Sequence, residues 1–83
     1  MKGRRVYPDA AGRLSFAEGD YGKDLLGVWF ARPPGGMLGS LEEHSITEYE
    51  DGTITVAPSI LIEASATTPQ WHGYLVHGVW SKA

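Results

Sequence analysis

The chain contains no cysteine. That excludes a disulfide framework, a thiolate zinc site, an iron–sulfur cluster and a cysteine nucleophile, so the 83 residues must stabilise themselves without covalent staples. Long hydrophobic runs are missing as well. Ile60, Leu61 and Ile62 are soon broken by Pro58 and Glu63, which leaves no transmembrane span and no signal-peptide core; the expected location is the cytoplasm of the producing cell, away from the membrane. Strongly hydrophobic residues are scarce. Leu, Ile, Val and Phe supply 18 of the 83 positions, just above the range of disordered chains, so the core must be thin.

Basic charge is also in short supply. Seven Lys and Arg face ten Asp and Glu, for a net charge of −3. The first 40 residues carry the surplus of bases and the remainder most of the acids, so the two halves attract each other. Only Lys2, Arg4 and Arg5 cluster, too few to neutralise several phosphates, so nucleic-acid binding is not expected.

Aromatic residues are plentiful: three Trp, four Tyr and two Phe, each able to bury roughly 150–250 Å². One domain over residues 1–83 is expected, with self-association open to a chain this small. Residues 1–22 are interrupted by glycines and Pro8, and residues 1–12 read as a flexible N-terminal arm. Ser15 and Glu18 have capping-box spacing, but Gly19 and Gly22 would destabilise that helix. Leu25–Ala31 reads as a buried strand ended by Pro33 and Pro34, and Leu41–His44 as a single helical turn.

The strongest local signal is SITEYEDGTITV, from Ser45 to Val56. Asp51 and Gly52 suit a tight turn between two β-rich flanks, so a hairpin is expected there. A two-residue turn would pair Tyr49 with Ile54 and Thr47 with Val56 on one face, leaving Glu48 and Glu50 on the other. Ser59–Ala64 resumes as a strand after a bend at Pro58. Trp71–Trp80 either folds back at His77 and Gly78 or runs as one strand with bulges; on strand parity Trp71 and Trp80 fall on opposite faces. The fold class is therefore mainly β: about five short antiparallel strands in a twisted sheet or small, partly open barrel.

Catalytic patterns fail on mechanism. Gly35–Ser40 lacks the lysine and helix of a phosphate loop. His44, His72 and His77 form no ligand triad, so no metal is expected, and no other cofactor either. Glu48 and Glu50 read as solvated carboxylates on an exposed hairpin, and Ser45 beside His44 lacks a nucleophile elbow. No enzyme activity is expected. Trp71, His72 and Tyr74 are the remaining concentration and the candidate binding residues.

HSITEYEDGTITVAPSILI, from His44 to Ile62, and WHGYLVHGVW, from Trp71 to Trp80, resemble a domain-of-unknown-function family of small bacterial and phage or prophage proteins. Tyr49 departs from the His that members commonly carry at that point. The resemblance implies a phage-related context, with a bacterial host cell as the producing cell, and brings no established activity. The function expected is thus a non-enzymatic accessory or protein-interaction module with a protein partner of unknown identity. The alternative is a small-molecule, glycan or peptide binding domain built on Trp71, His72 and Tyr74.

Overall fold

The computed structural model describes residues 1–83. It is all β without a helix: β1 (Arg4–Val6), β2 (Asp20–Lys23), β3 (Trp29–Ala31), β4 (Gly39–Ser40), β5 (Ser45–Glu48), β6 (Ile54–Ala57), β7 (Ile60–Ile62), β8 (Trp71–Val76) and β9 (Val79–Lys82). Instead of one sheet of about five strands there are three small ones, ordered β1-β2-β3-β4, β5-β6 and β7-β8-β9, and none closes into a barrel. All pairings are antiparallel except β1 with β2, which run parallel. Leu41–His44 forms a turn closed by the His44 N–H donating to the Leu41 carbonyl, not a helical turn.

Turn chemistry explains where the strands begin and end. At the tip of β5–β6, the Tyr49 N–H donates to the Thr53 carbonyl at 2.9 Å and the Gly52 N–H to the Tyr49 carbonyl at 3.0 Å. This is a three-residue loop with Gly52 in the left-handed region at φ 86°, a conformation glycine adopts without steric cost. The hairpin sits where the sequence puts it, but its register is shifted by one residue: Glu48 lies opposite Ile54 and Ile46 opposite Val56. The slip turns Ile46 toward the core, whereas the expected pairing would have exposed it. The Asp51 carboxylate sets the geometry by accepting from the Thr53 N–H at 2.9 Å and hydroxyl at 2.6 Å.

The same loop recurs after Asp24, whose Oδ1 accepts from the N–H groups of Leu26 and Val28, both at 2.9 Å, while Gly27 takes φ 87°. Leu25–Val28 is therefore a hairpin tip, not the first half of a buried strand, and Leu25 and Leu26 are 75% and 90% exposed. A third copy spans Asp9–Arg13, with Asp9 Oδ1 accepting from Ala11 and Arg13. One carboxylate oxygen satisfies two N–H groups at the Asp9 and Asp24 tips, and one N–H and one hydroxyl at the Asp51 tip, and so holds each tip closed.

The first six residues, expected within a flexible arm, are laid into the fold. β1 pairs with β2, Lys2 bridges to Val79, and the Gly3 N–H donates to the Gly78 carbonyl at 2.7 Å. Arg4 holds the buried carboxylate of Asp20 through two bonds of 3.1 and 2.8 Å. The core contains Tyr21, Ala31, Leu41, Ile54, Val56, Ile60, Trp71, Leu75 and Trp80, drawn from all three sheets. Trp71 and Trp80 share a face, because the chain reverses at His77 and Gly78, both at positive φ, and sets Leu75 opposite Trp80. Their rings meet edge to face at 5.4 Å and 89°.

Candidate functional site

Strand parity in β8 divides the three candidate residues. Trp71, Gly73 and Leu75 are buried, while His72, Tyr74 and Val76 face solvent. Trp71 is 2% exposed and belongs to the core; His72 and Tyr74 remain neighbours on the outer face, ring centroids 6.5 Å apart. Register adds the rest of that face: Leu61 lies opposite His72, Ser81 opposite Tyr74, and Val79 opposite Val76. Leu61, Tyr74, Val76 and Val79 are each between 43% and 50% exposed, so the outer side of β7-β8-β9 is an apolar strip with one imidazole. Alternation of large residues on both faces was readable in the sequence; which face meets the core was not, because the turn at His77 had to be fixed first.

Beside this strip, Ser59 Oγ lies 2.9 Å from His72 Nε2. A hydroxyl on an imidazole is the first half of a nucleophile and base pair, but no carboxylate of the chain hydrogen-bonds His72, and the pair lies on an open surface without enclosing walls. The Ser59 carbonyl accepts from His44 Nε2 at 3.1 Å, which places the ring proton on Nε2 and leaves Nδ1 buried without a partner.

The hollow next to Trp71 differs in character. It has a volume of about 260 Å³ and is bounded by Met1, Pro34, Trp71, Trp80, Ser81 and Lys82. Neither His72 nor Tyr74 reaches it, so the three residues cannot grip one ligand. Trp80 Nε1 donates to the Gly19 carbonyl at 2.9 Å, whereas Trp71 Nε1 is buried without an acceptor.

The basic cluster is engaged internally. The Arg5 guanidinium stacks over the rings of Tyr7 and Trp29, at 4.6 and 4.7 Å, and donates to Glu48 at 2.9 Å and to the Gly52 carbonyl at 3.0 Å. Lys23 reaches the other oxygen of Glu48 at 3.4 Å. Glu48, expected as a solvated outward carboxylate, is exposed but shares its side of β5 with Ile46, and the Arg5 hydrogen bond, with the Arg5 and Lys23 charges, holds its carboxyl below the usual range. Burial pushes Asp20 upward, but hydrogen bonds from Arg4 and the Ala17 N–H and the charges of Arg4 and Arg32 outweigh it, so its carboxyl also lies low. Arg4 and Arg5 would have to leave these partners to contact phosphates.

No group of three His, Cys, Asp or Glu residues converges to hold a metal ion, and no helix is long and apolar enough to cross a membrane. No family model, curated protein or solved structure matches this chain.

Proposed function

We propose that the chain is a non-enzymatic protein-interaction module whose docking surface is the outer face of β7-β8-β9. The observation that supports this most is the strip of Leu61, Tyr74, Val76 and Val79, four half-exposed apolar side chains on one side of a three-stranded sheet. Such patches favour association because covering them removes apolar area from water. Tyr74 and His72 add polar tips that orient a partner without a large entropic cost. The alternative of a small-molecule, glycan or peptide site on Trp71, His72 and Tyr74 is weakened by the opposite facing of Trp71. A phage or prophage accessory role in the bacterial cytoplasm is part of the proposal and rests on the resemblance of residues 44–62 and 71–80.

The test is capture from an extract of the native host with the immobilised chain, comparing wild type with Tyr74→Arg. Tyr74 points outward, so the substitution preserves the fold while placing a charge in the strip. A protein retained by wild type and lost from Tyr74→Arg supports the proposal; equal retention by both refutes this docking face.

A further inference from the structure

We infer that a second copy of this chain pairs with β7 across a two-fold axis at Leu61, joining two β7-β8-β9 sheets into one of six strands. The inference shares its sheet with the proposed docking face and names a partner for its free edge.

Backbone direction identifies that edge. The His72 carbonyl accepts from the Ala83 N–H at 3.1 Å, and Val76 faces Val79 across the two-residue turn. His72, Tyr74 and Val76 therefore bond toward β9, and Trp71 and Gly73 toward β7. Ile62 and Ile60, their register partners, use their backbone groups on β8. The N–H and C=O of the intervening Leu61 point to the far side, where no strand lies.

Two other edges are guarded. β1 carries Arg4, whose side chain is 70% exposed, and the outer side of β9 is bonded by residues 1–3. β7 contains only Ile60, Leu61 and Ile62, with neither charge nor proline inside it to repel a copy.

Hydrogen-bond complementarity fixes the register. An antiparallel copy centred on Leu61 sets Ile60 opposite Ile62 and Ser59 opposite Glu63, with directly opposed side chains on the same face. Glu63 is exposed and makes no ion pair or side-chain hydrogen bond within its own chain. Ser59 already holds His72 at 2.9 Å. Each copy thereby brings a carboxylate to the other's Ser59 and His72, and the contact occurs twice, closing the dimer without leaving a new β7 edge.

Sedimentation equilibrium of the full chain, from about 10 µM to 1 mM to cover weak association, tests the inference. The average mass is expected to rise from 9.0 kDa toward twice that value. Leu61→Pro removes the outward N–H while sparing the β8 ladder and should stay monomeric with the wild-type circular dichroism spectrum. Glu63→Lys, which removes the carboxylate acceptor at both ends, should weaken dimerisation about fivefold; should the proline variant not fold, this variant and Leu61→Arg decide the matter. A wild type that stays monomeric throughout, or a dimer undiminished in these variants, overturns the inference. A monomer that still captures a host protein through Tyr74 leaves the docking proposal standing, and a dimer without such capture leaves only this pairing.

Discussion

Replacing each core tryptophan by phenylalanine should have opposite consequences, although the chemical change is the same. The smaller ring forfeits about 1 kcal/mol of apolar burial at either position. Trp80 also loses its bond to the Gly19 carbonyl. That oxygen keeps a second donor, the Arg4 N–H at 3.1 Å, so the loss is that of an ordinary hydrogen bond, about 1 kcal/mol. Trp80→Phe should therefore cost about 2 kcal/mol. Trp71 carries a buried N–H with no acceptor, and removing it relieves a penalty of about 1–3 kcal/mol. Trp71→Phe should be neutral or slightly stabilising. In a domain of this size the gap between the variants corresponds to roughly 8–16 °C in melting temperature. Urea unfolding followed by circular dichroism, which does not depend on the deleted fluorophore, measures both. Equal destabilisation by the two substitutions would refute the hydrogen-bond assignment of the indoles.

Acid should unfold the protein through Asp20, Glu48 and Asp51, whose folded-state carboxyls lie below their usual values. Depressed values stabilise the fold above the ordinary carboxylate range, and the contribution disappears as pH falls through the folded-state values; Asp20→Asn should flatten this dependence in a melting series, and an unchanged slope would count against the Arg4 pair. Gly73→Ala should cost more than about 3 kcal/mol or prevent folding, because its new methyl group would run into the Ser81 carbonyl and the Trp71 ring; wild-type stability would contradict that packing. Deleting residues 1–5 removes most of β1 and its bonds to Gly19 and Gly78, so a sharp drop in unfolding free energy is expected, and an unchanged midpoint would show that these residues contribute nothing. Leu25→Asn with Leu26→Asn should change stability by less than about 0.5 kcal/mol, since both side chains stand in solvent at the tip; a large loss would contradict the hairpin assignment.

The sequence made the all-β class legible through local chemistry, because Asp51–Gly52 and His77–Gly78 punctuate β-rich flanks and both reverse the chain. Register was harder to read. The apolar and polar pattern of Ile54 and Val56 fits two pairings, and only the position of Ile46 against Val56 discriminates between them. Leu25–Val28 misled because leucines in a tip look like leucines in a strand, while the decisive Asp24 and Gly27 pair acts through backbone bonds. β1 lay beyond local reading altogether: its parallel pairing and the Arg4–Asp20 bridge join positions 16 residues apart. For the candidate site, period 2 in β8 already separates Trp71 from His72 and Tyr74; which of the two faces is apolar and exposed depends on the register with β7 and β9.

The measurement that bears most directly on the function is amide and indole chemical-shift mapping of the labelled chain titrated with the protein it captures. Changes are expected at Leu61, His72, Tyr74, Val76 and Val79, with the indole signals of Trp71 and Trp80 unmoved. Shifts confined to those two indoles, with the outer face silent, would contradict it.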